Sequence, residues 1–175
     1  MITARYCRLM AAYNSEMNRR LYRAAEAIPD AERRADRGAF FGSLHGTLSH
    51  LVWADHAWMA RFAPDRWQRL PAGIKESPHL FPDWDALRAA RIEADAGIEA
   101  WAQTVTEEWL AAPLTWMSSA TGQEMTRPCW VTVAHFFNHQ THHRGQAHCL
   151  ITQAGVKPED TDLPWVVDLQ ALGLE

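Results

Sequence analysis

The chain has 175 residues, of which 47% are hydrophobic and 22% charged, and its formal net charge is −4. This composition is typical of a single globular domain over residues 1–175, and it excludes a disordered chain and the basic, aromatic-rich surface of a nucleic-acid-binding protein. No apolar run is long enough to span a bilayer and the first twenty residues contain no signal-peptide core, so we expect a cytoplasmic protein.

Hydrophobic residues at steps of three and four predict two helices in the first third of the chain. The first covers residues 2–27 and ends before Pro29. The second covers residues 38–62 and ends before Pro64, since proline cannot continue a helix. His50 lies beside the apolar stripe of this second helix. Most of its neighbours one turn away are small, which would leave space at the imidazole for water or a substrate.

The middle of the chain predicts a loop, a helix and a hairpin. Residues 63–82 are rich in proline and predict a long loop, a type of segment that often forms the lid or wall of a site. A third helix is predicted at 83–111, with Asp83 as its N-cap. Residues 114–127 resemble a short β-hairpin around a glycine-containing turn. Because an isolated hairpin is only marginally stable, we expect it to pack on the helices.

A fourth helix is predicted at residues 131–154, with Gly155 directly after its end. It carries His139 and His143, which are four residues apart and therefore lie one turn above the other on one face. Two imidazoles at this spacing can bind one metal ion. We hypothesise that His50 supplies the third ligand. Three histidines leave a coordination position for water, as in catalytic zinc-type sites.

The roles of two neighbouring histidines stay open at this stage. His142 competes with His143, because a residue three positions from His139 also reaches the same face of a helix. His135 lies one turn before His139 and would support a ligand from outside the metal's own coordination sphere.

Three further polar residues are candidates for supporting the site. Asn138 and Gln146 flank the paired histidines and would either orient the imidazoles or form ordinary surface hydrogen bonds. Asp55 lies in an apolar stripe, where a carboxylate needs a partner. That partner would be a ligand imidazole or an arginine of the first helix, and the sequence does not separate the two.

Two segments of the chain resemble the signature segments of the DinB/YfiT-like superfamily. They are residues 48–58 (LSHLVWADHAW) and residues 135–146 (HFFNHQTHHRGQ). The predicted order also matches that superfamily: a helix, a helix with a histidine, a long connection, a helix, a hairpin and a helix with paired histidines.

The resemblance implies an all-α fold, a four-helix bundle in up-down-down-up order with a short β-hairpin before the last long helix. It implies a homodimer. It also implies that His50, His139 and His143 bind the metal, which favours His143 over His142. Zinc and nickel both occur in the superfamily, and imidazole ligands with water suit either ion.

The same resemblance implies a class of reaction. Characterised relatives include low-molecular-weight-thiol transferases and a thiol-dependent maleylpyruvate isomerase, so we expect a metalloenzyme that uses a low-molecular-weight thiol and a small-molecule substrate. One alternative is a metal-dependent hydrolase that activates a bound water, with Asp55 as its general base. Another is a non-enzymatic metal-binding protein of a stress response.

Overall fold

A computed structural model describes residues 2–119 and 121–174, and most of these residues are helical. The four long helices are α1 (Ala4–Glu26), α3 (Leu44–Phe62), α4 (Trp84–Ala102) and α6 (Cys129–Gln153). The short helices are α2 (Asp30–Arg34), α5 (Glu107–Ala111) and α7 (Leu163–Val166). Helix α1 packs against α4 and α6, and α3 packs against the same two helices. Over the described ranges, no helix is both long and apolar enough to cross a membrane.

The buried apolar side chains form two clusters, and a layer of buried polar side chains lies between them along the helices. Helices α1 and α6 run from the second cluster towards the first, whereas α3 and α4 run the opposite way. The first cluster includes Leu21, Tyr22, Leu48, Leu51, Leu87 and Ile151. The second includes Met59, Phe62, Ile98, Trp101, Phe136 and Phe137. The polar layer contains Asn14, Asn18, Asp55, Arg91, Asp95, Gln140, His143 and Arg144.

The second predicted helix begins six residues later than expected, at Leu44 instead of residue 38. Residues 38–42 form a tight turn closed by a bridge between Ala39 and Gly42, and Gly42 has a φ of 74° that favours glycine. The Ser43 side chain then caps α3 by accepting a hydrogen bond from the Gly46 amide. The amphipathic pattern continues through the turn, which is why periodicity alone placed the start too early.

The third predicted helix, residues 83–111, is wrong as one continuous element. Asp83 caps its start as predicted, accepting a hydrogen bond from the Ala86 amide, but α4 ends at Ala102. Thr106 then caps the separate helix α5 by accepting from the Trp109 amide. In a continuous helix the Trp109 amide would donate to a backbone carbonyl one turn earlier. Here it donates to the Thr106 side chain instead, so the helix is interrupted and a new one begins.

The predicted hairpin is confirmed as two antiparallel strands, β1 (Pro113–Met117) and β2 (Glu124–Pro128). Trp116 pairs with Met125, and its ring lies 5.7 Å from the ring of Trp58 on α3, measured between centroids. Strand β2 also packs on α6. The hairpin therefore rests on the helices, next to the stretch of α3 that follows His50.

Candidate metal centre

The structure brings the three predicted histidines together. His50 comes from the middle of α3, and His139 and His143 come from one face of α6. One ring nitrogen of each lies within 4.8 Å of the others, while His50 and His143 are buried and His139 is partly buried. Helices α3 and α6 pack directly on each other, and this contact closes the 89-residue separation in sequence between His50 and His139.

The proton of His50 is held on the side of the ring away from the cluster. Its Nδ1 lies 2.8 Å from Ser77 Oγ, and the Ser77 hydroxyl itself donates to the carbonyl of Ile74 at 2.7 Å. Because the Ser77 hydroxyl proton is donated to Ile74, Ser77 Oγ accepts the hydrogen bond from His50. The Nδ1–H group of the imidazole is therefore the donor. The other nitrogen, Nε2, therefore keeps its lone pair and faces His139.

Gln146 fixes His143 in the same way. Its carbonyl oxygen Oε1 lies 2.7 Å from His143 Nδ1 and can only accept, so the proton of the neutral ring sits on Nδ1. The Gln146 amide nitrogen then lies 3.3 Å from Nε2 of the exposed His142. Gln146 thus contacts a candidate ligand as expected.

The cluster fits a small transition-metal ion. His50 Nε2 and His139 Nε2 are 3.4 Å apart, and two nitrogens bound tetrahedrally to zinc at 2.0–2.1 Å are separated by about 3.3 Å. Two lone pairs that face each other at this distance repel unless a cation or a proton lies between them. No fourth protein ligand joins the group among the described residues. Three neutral imidazoles can therefore hold a metal ion and leave a coordination position open.

Burial keeps these imidazoles neutral. Desolvation is the larger cause and the neighbouring His143 the smaller one, and together they lower the pKa of His50 to about 3. Desolvation and the surrounding histidines also lower the pKa of His139 to about 3, and burial lowers the pKa of His143. A metal ion binds the unprotonated ring, so at neutral pH it displaces no proton from this cluster.

The lowered pKa of His139 predicts a pH-dependent stability of the metal-free protein. The unfolded chain protonates this ring below a pH of about 6.5. The folded protein does not protonate it until a pH of about 3. The contribution to stability is therefore complete above pH 6.5 and is lost as the pH falls towards 3. When the pH falls from 7 to 5, we expect the decrease in the free energy of unfolding to be about 2 kcal/mol smaller in His139→Gln than in the wild type.

Urea unfolding of metal-free protein at the two pH values measures this difference. His79→Gln is the matched control, because His79 is exposed and is not a member of the histidine cluster. The same pH dependence in His139→Gln and in the wild type would contradict the prediction.

A second prediction concerns Ser77, which is not among the residues predicted from the sequence. Removing its hydroxyl leaves the buried Nδ1–H of His50 without an acceptor and frees the ring to rotate. We expect Ser77→Ala to weaken metal binding by about 10- to 100-fold. Competition with a chromophoric chelator measures the affinity, and Ser119→Ala is the control, because Ser119 lines the cleft but is not the hydrogen-bond partner of His50. Equal affinities in the two variants would contradict the role given to Ser77.

The histidine cluster opens onto a cleft of about 280 Å³ between α3, α6 and the hairpin. Phe41 stacks on His50 with ring centroids 3.7 Å apart, and it comes from the turn before α3, not from the helix. Of the predicted loop 63–82, Ile74 lines this cleft. The aromatic side chains in its walls are Phe40, Phe41, Trp53, Trp58 and Trp116.

Asp55 contacts neither of its expected partners. Its carboxylate is 1% exposed and accepts a hydrogen bond from Arg91 of α4 at 2.6 Å. Both expectations, a ligand imidazole and an arginine of the first helix, are therefore wrong. Helix periodicity placed Asp55 in the interior correctly, but it carries no information on which neighbouring helix supplies the cation.

The remaining candidates take different positions around the cluster. Asn138 is exposed on α6 and makes no hydrogen bond to the cluster within the described ranges. His135 lines the cleft, with its ring 5.7 Å from that of His139 and 5.0 Å from that of Trp58. A larger cavity of about 430 Å³ lies beside Trp67 and Trp101, but none of the three clustered histidines lines it. The smaller cleft is therefore the candidate site.

Comparison with known proteins gives one clear result. No curated protein and no solved structure shows a significant match to the chain. The model of the DinB family matches residues 1–173, nearly the whole chain, and this protein therefore belongs to the DinB family.

Proposed function

We propose that this protein is a metal-dependent enzyme that transfers a low-molecular-weight thiol to a small electrophilic substrate. One observation carries the proposal: three neutral imidazoles converge at the base of an aromatic-walled cleft, with no fourth protein ligand among the described residues. A closed four-ligand site would instead be typical of a structural metal.

The residues around the proposed ion have separate tasks. A bound zinc or nickel ion would lower the pKa of a coordinated thiol so that it reacts as the thiolate. Ser77 and Gln146 hold the protons of His50 and His143 on Nδ1, which keeps both Nε2 lone pairs directed into the cluster. Phe41 covers one face of His50 and excludes water from that side.

The hydrolase alternative lacks its general base. Asp55, the carboxylate expected to serve, is buried and paired with Arg91. No Asp or Glu lines the cleft among the described residues. A reaction that begins with a thiolate does not require a carboxylate base at the site, so the cleft favours thiol chemistry over hydrolysis.

The architecture proposed from the family resemblance has two parts. The four long helices would form a bundle in up-down-down-up order, which agrees with their packing and directions. Two copies would associate as a homodimer in the cytoplasm. Sedimentation equilibrium at micromolar concentration tests the dimer, and a monomer would reject it.

Turnover by metal-loaded protein tests the proposed reaction. The assay supplies a low-molecular-weight bacterial thiol and an activated aryl chloride. A carbon–sulfur bond forms, chloride leaves and the thiol proton passes to the buffer. We expect a rate above the uncatalysed background that is lost in His50→Ala and unchanged in His79→Ala. Fully metallated protein that turns over no thiol would reject the proposal.

A further inference from the structure

Arg61 is a cation in the cleft, and no anion among the described residues balances it. It lies at the end of α3, and its guanidinium stacks 4.5 Å above the ring of Trp58, measured to the centroid. No carboxylate forms a salt bridge with it in residues 2–119 and 121–174, and its buried Nε has no hydrogen-bond partner there. The buried arginines Arg33, Arg91 and Arg144 also carry buried nitrogens without a partner, but each donates to at least one oxygen: Arg33 to Ile28, Arg91 to Asp55 and Arg144 to Asn14.

The charges around Arg61 define what kind of group can bind there. The cleft is lined by no acidic side chain within the described residues, and Arg61 is the cationic side chain in its lining. Burial and the neighbouring Arg69 lower the pKa of Arg61 to about 10, so the guanidinium is charged at neutral pH. Burial and Arg61 lower the pKa of the adjacent His135. The single positive charge of Arg61 can balance a single negative charge, such as that of a carboxylate.

We propose that Arg61 binds a carboxylate of the substrate or thiol, at the end of the cleft away from the three clustered histidines. The inference rests on the proposed function and adds a class of ligand to it. The planar guanidinium fork can donate two parallel hydrogen bonds to a carboxylate. Trp58 holds the guanidinium plane in position beneath the incoming group.

The length of the ligand follows from helix geometry. Arg61 is eleven residues beyond His50 on α3, and its side chain leans back over Trp58, eight residues beyond His50. A rise of 1.5 Å per residue puts the guanidinium roughly 12 Å along the axis from His50. On α6, the His135 ring contacts both the Trp58 ring and the His139 ring, so it covers the same distance along the cleft between the histidine cluster and Trp58. The carboxylate should therefore be about six to eight bonds from the atom that approaches the histidines.

A matched pair of thiols tests this assignment on the cobalt-loaded protein. The probes are 6-mercaptohexanoate and 6-mercapto-1-hexanol, which differ only in the terminal group. The thiolate-to-cobalt charge-transfer absorption reports binding, so the readout does not depend on turnover. We expect the acid to bind at least about 10-fold more tightly than the alcohol at low salt, a difference of about 1.4 kcal/mol.

Variants identify the residue responsible for that preference. In Arg61→Gln the ratio of the two affinities should fall to about one, and Arg61→Lys should keep part of the preference. Arg66→Gln is the matched control, because Arg66 is exposed and lines a different cavity. Equal affinities in the wild type, or a preference that survives Arg61→Gln, would overturn the inference while leaving the proposed function intact.

A failure of the proposed function gives a different result. Bound cobalt without a charge-transfer band for either thiol would reject thiol binding and leave Arg61 to be tested separately. Calorimetric titration of metal-free protein with octanoate and with octanol then serves. Octanoate should bind the wild-type protein more tightly than it binds the Arg61→Gln variant. Equal octanoate affinities in the two proteins would overturn the role of Arg61.

Discussion

Replacing His143 with alanine should abolish metal binding, whereas the same change at the adjacent His142 should leave it unchanged. His143 is buried in the cluster, with its Nδ1–H held by Gln146. His142 is exposed and contacts the far side of Gln146. Loss of the carboxylate or amide that orients a ligand already costs 10- to 100-fold in metal affinity, so loss of a ligand should cost at least about 100-fold.

Elemental analysis of tag-free protein measures this result directly. We expect about one equivalent of zinc or nickel in the wild type and in His142→Ala, and none in His143→Ala. Circular dichroism of the three proteins shows whether the helices are retained. Metal retained by His143→Ala, or no metal in the wild type after reconstitution, would contradict the three-histidine site.

Replacing Asp55 with asparagine should lower the free energy of unfolding by about 3–5 kcal/mol, because it leaves the Arg91 guanidinium charged and buried without its closest partner. The side chains of Asp55 and Arg91 are 1% and 3% exposed, and their atoms approach to 2.6 Å. Asp95, 2.8 Å from Arg91, remains in the variant and keeps the loss at the lower end of that range.

Urea unfolding at pH 7 measures the loss. Asp85→Asn is the matched control, since its carboxylate is 78% exposed where it meets Arg88, and the change should cost under about 1 kcal/mol. Asp55→Asn should also keep its full metal content, because Asp55 makes no hydrogen bond to the histidine cluster. A loss of stability below about 1 kcal/mol would contradict the importance of the ion pair with Arg91. A loss of metal would show that the carboxylate acts on the histidine cluster.

The order of the elements was predictable because it depends on local signals. Hydrophobic periodicity identified the helices, and proline, glycine and capping residues marked several of their ends. Asp83 caps α4 and Gly155 follows α6 with a φ of 82°, both as predicted. The predictions were wrong where a local side-chain bond interrupts an otherwise continuous pattern, as Ser43 and Thr106 do.

The sequence by itself determined that His139 and His143 share one face of a helix, since a separation of four residues fixes this in any α-helix. It also placed Asp55 in the apolar stripe of α3 and His50 beside that stripe. Periodicity specifies the direction in which a side chain points from the axis of its own helix. It does not specify which residue of a neighbouring helix that side chain contacts.

Only the tertiary structure decided which groups meet across the helices. The packing of α3 on α6 brings His50 Nε2 to 3.4 Å from His139 Nε2, and the turn at Ser77 supplies the acceptor for the other nitrogen of His50. Asp55 pairs with Arg91, while Arg61 faces a cleft in which the described part of the chain places no carboxylate. These pairings depend on the relative rotation and offset of separate helices, which the packing of many side chains sets together and no single segment encodes.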